Sequence, residues 1–245
     1  MKIDDFLSLF GSMIKGSSFA TRTWLVGGVV RDLQLGYNDF DDFDLCIEQR
    51  FGGLRLAKYL QNRGFPKTCE IFERFGTARL SLEGITLDLV ASRSEIYNSG
   101  RRYPRIRYAP IKEDAWRRDF TINALYMNVS DRRIIDPSGM GFADIEARLI
   151  RCLREPMTVF SADALRILRA LRFAATFGFD LEESTADAIA ESAHLTKRLS
   201  TKAWSLEIQK LRDKGILDNA LDIYAQYGVM RYIPEEFGTT PRSTD

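Results

Sequence analysis

The sequence predicts an α+β protein, a mixed sheet with flanking helices followed by an all-helical region. Two observations predict it. Through the first 150 or so of the 245 residues, short apolar strand-like runs alternate with segments of helical periodicity and are broken by glycines. From about Arg151 onward the apolar residues recur at helical spacing alone. The α/β head is therefore assigned to 1–150, the helical region to 151–232, and 233–245 is expected to be a frayed tail.

Taken in order, residues 4–14 form a short amphipathic helix. Residues 23–26 are a brief apolar strand that runs into Gly27 and Gly28, after which a helix continues to about Leu35. Residues 43–47 read as a strand, and 54–62 as a helix with Leu54, Ala57 and Leu60 on one side. Residues 77–82 and 85–91 are strands, and Glu83-Gly84 between them is a hairpin turn candidate. Residues 92–110 mix tyrosine, arginine, glycine and two prolines without a period, and read as a long functional loop. The later helices are 163–177, 182–193, 201–214 and 217–227, and Gly178 is placed to cap the first of them.

Composition narrows the chemistry. The 35 basic and 34 acidic side chains nearly cancel, yet their distribution is uneven. Residues 38–48 hold five acids and no base, 101–118 hold seven bases against two acids, and 148–172 hold six arginines against Glu155 and Asp163. Solvated faces that cancel are one reading; a cation-binding carboxylate cluster with arginine surfaces for phosphate is the other. A single histidine, His194, disfavours His-based triads and multi-histidine metal sites. Cys46, Cys69 and Cys152 are odd in number and far apart, which disfavours a disulfide framework or zinc cluster and suits small buried residues in a reducing cytoplasm. No apolar run reaches the roughly 18–20 residues that span a bilayer, and the N-terminal segment lacks a signal-peptide pattern. No membrane partner is expected.

Three constellations carry chemistry. In WLVGGVVRD (24–32), a strand, Gly27-Gly28 and a helix start present free backbone amides to phosphate oxygens, and Arg31 stands one turn further on. A double glycine also serves a plain tight turn, and neither the dinucleotide fingerprint nor the Walker A spacing is met. In Asp42-Phe43-Asp44, strand alternation projects both carboxylates to one face and Phe43 to the other. Like charges held so close call for a cation, and oxygen-seeking Mg2+ is the natural one. Asp88 interrupts the alternation of Leu87 and Leu89 on another strand and supplies a third carboxylate. Three such groups on one sheet suit two-metal nucleotidyl transfer, one ion activating a hydroxyl and the other stabilising the leaving pyrophosphate.

Together with RFGTARL and LDLVASR, these motifs resemble the head of the class II tRNA nucleotidyltransferases and bacterial poly(A) polymerases, which belong to the polymerase β-like nucleotidyltransferases. RRDFTINAL (117–125) resembles the family's second motif, DPSGMGFADIEARLIR (136–151) the next, and DALRILRALRFAATFGF (163–179) the neck signature. The resemblance runs in the family's order over about residues 24–215. It implies a polymerase β-like head followed by a helical neck. It also implies that Asp42 and Asp44 bind metal with Asp88 as the third catalytic acid, and that Gly27, Gly28 and Arg31 lie at the triphosphate. Arg118, Asp119 and Asn123 then contact phosphate or sugar; Asp119 can equally cap a helix starting at Phe120.

In the neck, Asp163 and Arg166 match the acid and arginine of an EDxxR element that reads the base edge, and Arg169 and Arg172 extend the arginine face. Ala162 stands where the family usually has Glu, a residue that orients its neighbours, so the departure bears on the stringency of base selection. SEIYNSGRRYPRIRY (94–108) resembles, with spacing one residue off, the flexible loop of members that add the terminal A. Full-length relatives continue into body and tail domains. Either RNA is expected on a reduced surface, including Lys197, Arg198, Lys202, Lys210 and Arg212, or on a partner or second copy, or the sequence is a piece of a longer chain. The implied activity is template-independent, Mg2+-dependent addition of nucleotides from CTP or ATP to a tRNA 3′ end. The alternatives are poly(A) polymerase action on other RNA and an inactive RNA- or nucleotide-binding relative.

Overall fold

Helix α1 (Ile3–Ile14) carries Phe6, Phe10 and Ile14 at four-residue spacing, and all three are fully buried. Phe6 lies flat on Phe43, ring centroids 3.9 Å apart, so α1 covers the back of the strand that bears the paired acids. The computed structural model describes residues 1–65, 68–73, 76–96 and 105–237. They divide into two compact units, Met1–Ile145 and a second that begins at Glu146.

In the first unit, β1 (Thr23–Val26) leads through Gly27 into α2 (Gly28–Gln34), and β2 (Asp42–Ile47) is followed by α3 (Gly52–Gln61). Strands β3 (Thr68–Phe72), β4 (Thr77–Leu82) and β5 (Ile85–Ala91) come next. Glu83 and Gly84 both have positive φ, 49° and 85°, as a tight hairpin turn requires, and Leu82 pairs with Ile85. The expected long loop of 92–110 instead starts and ends as a ladder, β6 (Arg93–Ile96) against β7 (Arg105–Tyr108). Tyr97, Gly100, Arg101, Arg102 and Pro104 of the loop motif lie outside the described residues. The unit is completed by α4 (Ile111–Ala115), β8 (Tyr126–Asn128), β9 (Ile134–Ile135) and α5 (Gly141–Glu146).

The seven-stranded sheet has the order β3-β4-β5-β2-β1-β8-β9, and within it β2 and β5 are the parallel pair. Helix α3 starts hard against β5: a Cβ on Gly53 would stand 2.5 Å from the Leu89 carbonyl oxygen, so only glycine fits there. The turn into α5 is tied by Asp136, whose carboxylate accepts from Ser138 Oγ at 2.6 Å and from the amide of Gly141 at 2.7 Å.

The second unit is helical apart from a two-residue parallel ladder, β10 (Leu149–Ile150) with β11 (Asp180–Leu181). Its helices are α6 (Pro156–Ala162), α7 (Leu165–Phe177), α8 (Glu183–Ser192), α9 (Thr201–Asp213) and α10 (Leu217–Gln226). Pro156 opens α6 while Glu155 accepts from the amides of Met157 and Thr158, which satisfies two orphan donors of the first turn. Gly178 closes α7 in the left-handed conformation, φ 61°. No helix among the described residues is long and apolar enough to cross a membrane.

Candidate functional site

The site begins with β2. Its exposure alternates so that Asp42 and Asp44 face outward and Phe43 is fully buried between them. In the parallel pairing with β5, Asp44 stands beside Asp88 and Asp42 beside Thr86, so the three carboxylates share one face of the sheet. Partial burial, and then the negative charge of Asp88, hold the Asp42 carboxyl above the usual carboxylate range; Arg79 offsets part of this. Asp39 and Asp41 are exposed.

Asp88 is gripped by Arg79, which sits opposite it on β4 and donates Nε and Nη2 to the two carboxylate oxygens at 2.7 and 2.6 Å. Among the described residues no three His, Cys, Asp or Glu side chains are gathered closely enough to hold a metal ion. The donor set of Asp42 and Asp44, two hard oxygen ligands that repel each other, nonetheless fits a divalent cation.

The glycine turn enters beside this pair. Gly27 has φ 70° and ψ −127°, a conformation that glycine alone adopts without strain. A Cβ placed on it would lie 3.6 Å from Asp44 Oδ2 and 3.7 Å from Arg118 Nη1. One backbone position therefore brings together three motifs that are far apart in sequence. Arg31, on α2, is buried and donates through Nη1 to Asn123 Oδ1 at 2.7 Å; Asn123 Nδ2 in turn donates to Asp119 Oδ1 at 3.1 Å. The Asp119 carboxylate also accepts from the Phe120 amide. The expected helix after Asp119 is a single 3-10 turn, Thr121–Asn123, and the chain then enters β8, because Leu125 and Tyr126 are fully buried in the sheet layer.

Two further residues belong here that the motif reading missed. Asp114, fully buried, accepts from Tyr126 Oη at 2.7 Å, Arg117 Nε at 2.9 Å and the Arg93 amide at 2.8 Å. Tyr126 Oη accepts from Arg118 Nε at 2.7 Å, and Arg118 also lies over the Tyr126 ring. The chain of contacts Asp114–Tyr126–Arg118 fixes the guanidinium against Gly27. Burial pushes the Asp114 carboxyl upward, but Arg117, Arg118 and the hydrogen bonds from Tyr126 and the Arg93 amide overcome it and leave the pKa lowered. The signal in the sequence was an acid three and four residues ahead of the arginine pair.

In the second unit, Asp163 is not on the helix. It lies in extended conformation between α6 and α7, and its Oδ1 accepts from the Leu165 amide at 3.0 Å. Arg166 Nε approaches Asp163 Oδ2 at 4.0 Å, and Arg169 lies over the Phe173 ring. Ala162, the departure from the family pattern, is exposed. Arg172, expected on the same face, points elsewhere: it is buried and donates Nε to the buried Glu207 at 2.6 Å, while Lys210 holds the other Glu207 oxygen. That network ties α7 to α9 and accounts for Arg172 structurally. Cys46, Cys69 and Cys152 form no disulfide; Cys46 and Cys152 are buried as expected, but Cys69 on edge strand β3 is half-buried. Burial pushes the Cys46 thiol far up, so it stays protonated.

Residues 23–151 match the family described as the poly A polymerase head domain. A CCA-adding enzyme of Bacillus licheniformis is 34% identical over 215 residues, which are 87% of this chain and 52% of that protein. An A-adding tRNA nucleotidyltransferase of Aquifex aeolicus is 36% identical over 222 residues, 88% of this chain and 26% of that protein. A tRNA nucleotidyltransferase solved with a primer tRNA and an incoming ATP analog superposes with a TM-score of 0.75 at 31% identity, covering 94% of this chain and 64% of that one. The chain spans about half the length of the curated CCA-adding relatives it matches.

Proposed function

The chain belongs to the poly A polymerase head domain family, and from that premise we propose that it is a template-independent RNA nucleotidyltransferase that extends a tRNA 3′ end from CTP or ATP. The observation that carries this reading is the convergence at Gly27, where a backbone free of side chain is flanked by the Asp44 carboxylate and the Arg118 guanidinium. That arrangement offers a seat for phosphates next to a pair of acids, the minimum that phosphoryl chemistry requires.

In this reading the 3′ hydroxyl attacks the α-phosphate in line and pyrophosphate leaves. Arg118, held by Tyr126 and Asp114, stabilises charge on the phosphates, and Arg31 with Asn123 and Asp119 positions phosphate or sugar. Asp42 and Asp44 would hold divalent ions, best Mg2+, which when bound supply Lewis acidity to the attacking hydroxyl and the leaving pyrophosphate. Asp88 joins them on release from Arg79. In the second unit, Asp163 and Arg166 offer an acceptor and donors that suit the edge of a base. A cytoplasmic setting accords with tRNA as substrate and with cysteines that form no disulfide.

Sequencing the products made from each nucleoside triphosphate on tRNAs that end before, within and at the end of CCA tests the assignment. Addition that stops at CCA is the expected result. Long ATP-only tails on unstructured RNA would assign poly(A) polymerase activity instead, and absence of any product would refute transfer.

A further inference from the structure

At the opposite end of the β2–β5 pair from the paired acids lies a cavity of about 610 Å³, lined by Arg50, Phe51, Arg93, Arg107 and Tyr108 among others. Ala91, in its wall, is three residues beyond Asp88 on β5, so the cavity is about 10 Å or more from the carboxylates. Its lining has three features that a structural role leaves unexplained.

The first is Phe51, which is 56% exposed and held at φ 57°, a left-handed backbone that costs a bulky residue energy with no burial to offset it. The Arg50 guanidinium stands 5.0 Å from the centre of its ring, and Tyr108 presents a second aromatic surface, 45% exposed. The second is charge: among the described lining residues three guanidiniums meet one acid, Glu73, although Arg107 also pairs with Glu113 outside the lining at 3.1 Å. The third is Arg93, whose Nε is buried without a hydrogen-bond partner. Burial, and then the nearby charge of Arg117, make the Arg93 cation less favourable than usual, although Glu95 approaches it at 3.6 Å. An anion in the cavity relieves that condition.

We propose that this cavity binds an unstacked nucleotide of single-stranded RNA, the base on Phe51 and Tyr108 and the phosphates on Arg50, Arg93 and Arg107. Aromatic platforms framed by arginines bind single strands without strong sequence preference. Three guanidiniums offer more phosphate contacts than one nucleoside monophosphate uses, which favours a strand over a free nucleotide. The choice of RNA rests on the functional reading above; the site itself does not overlap the acids or the glycine turn.

The test is fluorescence anisotropy of the full chain with a labelled oligoadenylate of about 12 nucleotides, with AMP as competitor. Phe51→Gly is expected to weaken binding about 10-fold while its melting temperature holds or rises, because glycine relieves the positive φ. A merely structural Phe51 would lower the melting temperature and leave affinity alone. Arg93→Gln is expected to weaken binding and to make the salt dependence shallower by about 0.7 in log–log slope. Unchanged affinity in both variants overturns the site, even if the wild-type chain transfers nucleotides normally. Displacement of the strand by AMP at equal nucleotide concentration assigns the cavity to a free nucleotide and overturns the RNA assignment. Failure of the wild-type chain to transfer nucleotides, with the oligonucleotide bound through Phe51, refutes the enzymatic reading and leaves the site.

Discussion

Tyr126 shows how one hydroxyl organises a site. Its oxygen accepts from Arg118 and donates to Asp114, each at 2.7 Å. Tyr126→Phe removes that hydroxyl and little else. It is expected to raise KM for the nucleotide about 5- to 10-fold, the loss of about 1 kcal/mol of positioning, with a smaller change in kcat. Steady-state kinetics read both. In an Arg118→Ala background the same substitution is expected to have no further effect on KM, because its influence passes through that guanidinium. Asp42 carries the opposite lesson, a residue whose proposed role in chemistry comes at the expense of the fold. Its carboxyl is raised above the ordinary 3.8 by burial and by Asp88. A raised folded-state pKa contributes stability that is present below that ordinary value and lost as pH rises through the folded one. Asp42→Asn, measured without divalent ions, is therefore expected to raise the melting temperature by about 1–2 °C near pH 8 and to leave it unchanged near pH 3.

At the scale of elements, β2 is pinned by the residue between its acids. Phe43 is fully buried and stacked on Phe6, so Phe43→Ala is expected to cost about 3–4 kcal/mol in urea unfolding and to disorder the acid pair with it. In the second unit, Glu207→Ala leaves Arg172 buried without its partner and is expected to cost about 3 kcal/mol, with the choice between CTP and ATP unchanged. In the proposed function that choice falls instead to Asp163 and Arg166. Elements with a clean period were legible in the sequence: α1, β1, β2, the β4–β5 hairpin with its Glu83-Gly84 turn, and α8 to α10. Those that escaped did so for physical reasons. β3 is an exposed edge strand with no apolar alternation to betray it. β8 is only three residues long and fully buried, and RRDFTINAL ahead of it has helical composition that burial overrides. α7 starts later than its periodicity suggested because Asp163 leaves helical conformation to cap it.

Across the whole molecule, the near-zero net charge hides a division of labour. Asp42, Asp44 and Asp88 share one face of the first unit's sheet, while arginines stand at the glycine turn (Arg31, Arg118), at the cavity (Arg50, Arg93, Arg107) and on α7 (Arg166, Arg169, Arg172). Most of the proposed site was legible because chemistry constrains residue type: paired acids on a strand, a glycine turn, an arginine beside it. Its supports were not, because Asp114 and Tyr126 act through contacts between residues distant in sequence, and Arg172 proves to serve the core. In the proposed function, Asp42 and Asp44 drive nucleotide transfer to RNA. The most direct measurement compares the wild-type chain with the Asp42→Asn, Asp44→Asn double variant, using labelled CTP and ATP, Mg2+ and a tRNA lacking its CCA end. A loss of about 1,000-fold or more in transfer rate with RNA affinity retained is the expected result. Transfer by the double variant at the wild-type rate, or no transfer by either protein, would contradict it.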